Sequence, residues 1–346
     1  MADGFGGIRR RAYRLVDADA HINEPPDLWT SRLPLKYRDR APHVEQFREG
    51  DAWVMEGAPA PINFGFNAAA GIERSKRSPW VRFEDIRRGG HDPVARLEEM
   101  DEDLVDAAVL YPTPRVSQLV IANDDPEFHL AMVEAYNDWL SEYCSYDPTR
   151  LGGMMLLPNR GVAAAIDEIG RVIERPGIVG VLMGCYPHGT LDLTEEDDPV
   201  WRAIVDAGVA LHIHVSLGNQ LPRDMYAPGV ISENRVQGDL RFLQSPVRMM
   251  QFLTAGVFDR VPDLNVVLAE VDAGWVPYLK EQVDNRFRRR AFGPAARRTR
   301  LPSDYIEEHF YFTYITDHFA IRNRHAIGVE RIMWSSDFPH TGSDWP

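Results

Sequence analysis

The segment Asp17-Ala18-Asp19-Ala20-His21 closes an apolar, strand-like run near the start of the chain. Successive strand side chains alternate faces, so Asp17, Asp19 and His21 are expected on one side. Three ionisable groups on one face of a buried strand are costly unless something compensates them, and a divalent cation does so. The plain structural alternative is that these carboxylates cap loops and pair with arginines. Leu211-His212-Ile213-His214 sets two imidazoles on one strand face, and Met333 to His340 carries Asp337 at the end of another apolar run. Each segment alone is a weak signal. Together they offer mixed imidazole and carboxylate donors, which suit zinc, with manganese and iron as alternatives. An open position on zinc lowers the pKa of water to roughly 7 and so yields a nucleophile at neutral pH.

For that set to form, positions 19, 212–214 and 337 must be brought to one point. Short Val-, Leu- and Ile-rich runs alternate with amphipathic, helix-like segments, the pattern of βα units around a buried parallel sheet. Eight strands are expected, over 13–21, 106–113, 151–158, 178–185, 209–216, 265–272, 309–316 and 331–338. Helices are expected over Pro93 to Asp103 behind a cap at Asp92, from Asp125-Pro126, from Asp198-Pro199, and over Trp275 to Phe287. The first should bury Val94, Leu97, Met100 and Leu104; the second Leu130, Val133, Tyr136, Asn137 and Leu140. Eight such units close into a single α/β domain over 1–346, a (β/α)8 TIM barrel. The first turn has no GxGxxG, which disfavours an open doubly wound sheet. In the closed barrel Asp19, His21 and Asp337 converge, and His212 or His214 approaches across the mouth.

Two long insertions leave the C-terminal ends of strands, where barrel active sites are built. Residues 24–91 are expected to form a lid or wall, with Trp53, Phe64, Phe66 and Trp80 as an aromatic lining. Gly218 to Leu240 is the second. Only eight residues follow Phe338, so the eighth helix is expected to be missing from the chain.

Composition narrows the partners. Lys plus Arg is 38 against 52 for Asp plus Glu, a net charge of −14, which argues against nucleic acid. The basic run Arg286 to Arg290, with Arg297, Arg298 and Arg300, reads as a solvated helix face. No run is long and apolar enough for a membrane span. The two cysteines, Cys144 and Cys185, form no CxxC pair and fit a reducing cytoplasm. Cys185 ends a strand, and no base can be assigned to activate it as a nucleophile.

Four segments carry a family resemblance: DADAHINEPPDLW (17–29), LHIH (211–214), LAEVDAGWVPYL (268–279) and SSDFPH (335–340). The chain resembles the amidohydrolase superfamily in its family 2 branch, which includes aminocarboxymuconate-semialdehyde and γ-resorcylate decarboxylases. The resemblance implies a metal held by Asp19, His21, His212 and Asp337. His214 is then an alternative ligand or a substrate contact. Many relatives have His-x-His where this chain has Asp19-Ala20-His21. The decarboxylases carry a histidine at the end of strand six, where this chain has Glu270.

The expected activity is hydrolysis of a small organic acid, amide or lactone by a metal-activated water. Asp337 moves the proton, and Glu270 and His340 are available as relays. The alternative is non-oxidative decarboxylation of an aromatic or unsaturated carboxylate at the same site. Glu24 is expected to fix the turn after strand one or to touch substrate. A homodimer is expected.

Overall fold

The computed structural model describes residues 12–190, 192–215, 244–289 and 300–343. The second expected insertion, Gly218 to Leu240, lies outside them, as do Arg290, Arg297 and Arg298.

Eight parallel strands form the barrel: β1 (Val16–His21), β2 (Ala107–Tyr111), β3 (Leu151–Leu156), β4 (Ile178–Leu182), β5 (Leu211–His214), β6 (Val266–Ala269), β7 (Phe310–Tyr314) and β8 (Ile332–Trp334). Each pairs with the next in chain order. Every expected strand is present, trimmed at its ends. Ladder pairs such as His21 with Tyr111, Leu182 with His212, and His214 with Ala269 fix the heights of the side chains at the mouth. Two backbone hydrogen bonds just past β8 join the last strand to the first, Asp337 N to Asp19 O at 3.0 Å and His21 N to Phe338 O at 2.6 Å.

Helices α1 (Pro93–Glu102), α2 (Pro126–Cys144), α3 (Val162–Val172), α4 (Asp198–Asp206), α5 (Gln244–Ala255), α6 (Val276–Arg289) and α7 (Pro302–His309) cover the outside. Asp92 caps α1 by accepting from the N–H groups of Val94 and Ala95, and Asp125 caps α2 by accepting from Phe128, each with Pro at the first turn. The buried face of α1 differs from expectation. Ala95, Arg96 and Met100 are buried, whereas Val94 and Leu104 are exposed. Arg96 takes the inner position because its guanidinium lies 4.5 Å from the Phe338 ring centroid and bonds Gly89 O.

On α2, Val133, Tyr136, Asn137 and Leu140 face inward as expected. The Asn137 amide matches the backbone of Leu156, accepting from its N–H at 2.8 Å and donating to its carbonyl at 3.0 Å. It also donates to Glu168 at 2.7 Å, which Arg171 neutralises at 2.6 Å. On α6, Arg286, Arg288 and Arg289 are exposed, as a solvated face requires. No described helix is long and apolar enough to cross a membrane.

The insertion has its own antiparallel sheet, strands 43–46, 51–54 and 62–63. Its aromatics do not form the expected lining. Trp53 is buried against Trp29 (centroids 5.2 Å apart) and Phe64, and Phe64 packs on Phe83. Trp80 packs on Phe47, while Phe66 is half exposed. Trp53 and Phe64 join Trp29 in the hydrophobic core that the insertion shares with the barrel. The insertion meets the barrel mouth by backbone: Ala69 and Ala70 N–H donate to Pro339 O, and Thr341 N donates to Phe66 O.

Candidate active site

The C-terminal ends of β1, β5, β6 and β8 turn their polar side chains to one point. His21 Nε2 lies 3.5 Å from Asp19 Oδ1, 3.4 Å from Asp337 Oδ1 and 3.2 Å from His214 Nε2. His214 Nε2 is 3.7 Å from Asp19 Oδ1 and 3.2 Å from Glu270 Oε2. Ligand-type atoms of Asp19, His21 and His214 all fall within 4.8 Å of one another, and so do those of His21, Asp337 and His340. His340 Nδ1 is 2.7 Å from Asp337 Oδ1, and its ring stacks on His21 with centroids 3.9 Å apart. Asp19, His21 and His214 are fully buried.

The backbone is bent to achieve this. Glu270 (φ 56°) and Asp337 (φ 54°) both sit in the left-handed region that side-chain-bearing residues avoid, costing about 1 kcal/mol or more each. Each leaves the strand direction just past β6 or β8 and turns its carboxylate into the mouth. Thr313 on β7 braces two members at once: its Oγ accepts from Glu270 N at 2.7 Å and donates to Asp19 Oδ2 at 3.2 Å.

The donor set fits a divalent cation. Asp19 Oδ1 is buried and accepts no hydrogen bond among the described residues. Burial and the neighbouring Glu270, Asp337 and Asp17 carboxylates hold the Asp19 carboxyl well above the ordinary range. A cation at the shared point removes that repulsion. His21 Nδ1 donates to Pro112 O at 3.0 Å, so its proton resides there and Nε2 keeps its lone pair for a ligand bond.

Among the expected site residues, Asp19, His21, Asp337, Glu270, His340 and His214 come together. His212 does not join the donor cluster, against the expectation. Both histidines share the inner face, but His214 is the one at the rim, level with the end of β6, while His212 lies one layer deeper. There its Nδ1 meets the Tyr111 hydroxyl at 2.6 Å. Burial pushes the His212 imidazole down to about 3 and the Tyr111 phenol well up, so both are neutral and Tyr111 is the donor.

Glu24 also lies apart from the cluster. Its Oε1 accepts from Thr113 N at 2.9 Å, tying the turn after β1 to the turn after β2, and burial raises its carboxyl to about 7. Asp17 does not share the face of Asp19. The β1–β2 register shifts between Asp17 and Ala20, and Asp17 instead accepts from Ser336 N at 2.9 Å, from Ser336 Oγ and from Asp19 N. Cys185 is buried, with its thiol on Thr190 O. Tyr111 and Thr313 were not singled out from the sequence. Each is one more β-favouring residue in an apolar strand, and only the register shows what it faces.

A closed eight-stranded parallel barrel with carboxylates and imidazoles gathered at its C-terminal mouth defines a class of metal-dependent barrel enzymes. The chain belongs to the amidohydrolase family, which matches residues 16–346. It is 25% identical over 273 residues to a γ-resorcylate decarboxylase of Rhizobium sp., covering 72% of this chain and 79% of that one. Its fold superposes on an amidohydrolase from Mycobacterium avium subsp. paratuberculosis with a TM-score of 0.73 at 22% identity, covering 96% and 91% of the two chains. It also superposes on a dihydroxybenzoic acid decarboxylase from Polaromonas sp. JS666, crystallised with manganese and 2-nitroresorcinol. There the TM-score is 0.63 at 19% identity, covering 96% and 90%.

Proposed function

We propose that this protein is a non-oxidative decarboxylase of an aromatic or unsaturated carboxylate, with one divalent metal held by Asp19, His21, His214 and Asp337. The observation that carries the reading is the match to a curated decarboxylase over 273 residues. It favours decarboxylation over the hydrolysis expected from the sequence. Manganese is the metal to test first, because the Polaromonas structure holds it and two carboxylates with two imidazoles accommodate it. Zinc, the metal expected from the sequence, has no such support.

Bound at this point, a divalent cation supplies positive charge that clamps substrate oxygens and stabilises negative charge developing on them. The side chains do the rest. His21 and Thr313 fix the orientation of Asp19. Glu270, 3.2 Å from His214, contributes a carboxylate at the rim where relatives of the branch have an imidazole. The Asp337–His340 pair, joined at 2.7 Å, shares a proton and delivers it to the substrate carbon. The C–COO⁻ bond breaks, its electron pair takes up that proton as a new C–H bond, and CO2 departs. Solvent then returns the proton to the pair.

Incubation of manganese-loaded protein with a panel of hydroxylated aromatic acids, γ-resorcylate included, and of simple amides and lactones tests this in heavy water and in ¹⁸O water. Release of CO2 with one deuterium on the product carbon is expected. Water-derived ¹⁸O in the product, without CO2, restores the hydrolase reading.

A further inference from the structure

Asp17 stands two residues before Asp19 on β1 and belongs to neither donor cluster at the mouth. Its carboxylate is buried on the α1 side of the sheet, where it lines a small cavity with Arg96, Ser336 and Phe338. Each of its hydrogen-bond donors belongs to Asp19 or to Ser336, the residue before Asp337. Oδ1 accepts from Asp19 N at 3.2 Å and from Ser336 N at 2.9 Å, and Oδ2 accepts from the Ser336 hydroxyl. The Ser336 oxygen passes the restraint on by accepting from Phe338 N at 3.0 Å. Both neighbours of Asp337 are thus fastened, directly or through one hydroxyl, to the same carboxylate. Asp337 between them holds a φ of 54°, a conformation that persists only where its surroundings enforce it. A buried carboxylate is a costly way to tie a turn, but its charge-assisted bonds are shorter and stronger than those of a neutral acceptor.

We propose that Asp17 is a positioning residue, whose carboxylate fixes the ends of β1 and β8 against each other and so sets the separation and direction of the Asp19 and Asp337 carboxylates. This rests on the metal-site part of the proposed function and not on the reaction. Asp17 lies apart from the metal point and acts from behind the sheet. The bond from Asp337 N to Asp19 O fixes the distance between the two main chains but leaves the 336–338 turn free to rotate about it. The bonds from Ser336 to Asp17 remove that rotation. An amide at position 17 would still accept from Ser336 N, but its NH2 would face the Ser336 hydroxyl and leave that proton without its acceptor.

The test uses the full chain and reads manganese rather than turnover. Manganese affinity, the electron paramagnetic resonance spectrum of bound Mn²⁺ and the metal-free Tm are measured in wild type, Asp17→Asn, Ser336→Ala and Ser336→Thr. Manganese affinity about 10- to 100-fold weaker is expected in Asp17→Asn, with a changed spectrum, as loss of a group that orients ligands produces. Ser336→Ala should show a smaller loss in the same direction, and Ser336→Thr, which keeps the hydroxyl, should lie near wild type. Wild-type affinity and spectrum in both Asp17→Asn and Ser336→Ala overturn the assignment, whatever their Tm, because the pair then supports only the fold. If Asp17→Asn does not fold, Ser336→Ala against Ser336→Thr decides by the same two readouts. A wild type that binds no manganese overturns the assignment together with the metal site. Because CO2 release is no part of the readout, the decarboxylase reading can fail while the assignment stands.

Discussion

Two buried polar groupings in this barrel have opposite character. On the outer wall, Asn137, Glu168 and Arg171 join α2 to β3 and α3. The Asn137 oxygen and both of its amide hydrogens meet partners, and the Glu168 charge is cancelled by Arg171. At the mouth, Asp19 is as deeply buried, yet its Oδ1 accepts no hydrogen bond among the described residues, and its neighbours include three further carboxylates, Glu270, Asp337 and Asp17. The wall grouping is complete within the chain and needs nothing else. The mouth grouping is held by left-handed backbone at Glu270 and Asp337, and its crowded carboxylates, with Asp19 raised well above the ordinary range, are what the proposed cation would relieve. Buried polarity closed from within marks structure; buried polarity left open marks a binding site.

Substitutions in the two groupings should therefore separate stability from activity. The largest effect is expected from Asp337→Asn, with kcat reduced about 10³-fold or more through loss of the proton-carrying carboxylate. Its metal-free stability should be equal to wild type or higher, because one repelling charge is gone. A metal-free Tm well below that of wild type would break the comparison. Thr313→Val should weaken manganese binding about 10- to 100-fold, as loss of a group that orients a ligand does, and direct metal titration reads it. Asn137→Ala is the converse, costing about 1–3 kcal/mol of stability in a denaturant titration with manganese affinity unchanged.

Glu24 gives the smallest and most diagnostic effect. Its raised carboxyl means the folded state holds a proton that the unfolded chain releases, so its contribution falls as pH rises from about 4.5 through about 7. Glu24→Gln, which still offers an acceptor to Thr113 N, should flatten the stability profile across that window. An unchanged Tm difference between pH 5 and pH 8 would show that the group is not protonated in the fold.

The barrel was legible because its signal is repeated: eight apolar runs separated by capped helices specify the class even when each boundary is off by a few residues. Residues brought to the mouth, Asp19, His21 and Asp337, were legible for a related reason, since strand ends in a barrel share one rim. What failed was finer than the two-residue period. His212 and His214 have the same face, and only height relative to β6 separates them. Asp17 and Asp19 were expected on the same face, but the register shift between Asp17 and Ala20 sends Asp17 to Ser336 instead. The insertion's aromatics suggest a wall because composition cannot distinguish a lining from core, and Trp53 packed on Trp29 is core. Tyr111 and Thr313 gave no signal, since tyrosine and threonine are ordinary strand formers.

The seam between β1 and β8 has a consequence for how the molecule comes apart. Asp19 and Asp337 lie on the first and last strands of the barrel, and their main chains are hydrogen-bonded to each other while their side chains face the same point. The proposed ion, shared by those side chains, would fasten the first strand of the barrel to the last, like the clasp of a bracelet. Chelation would open the ring at that clasp first, and protease sites along β1 and β8 would become cleavable while the opposite arc of strands stayed protected.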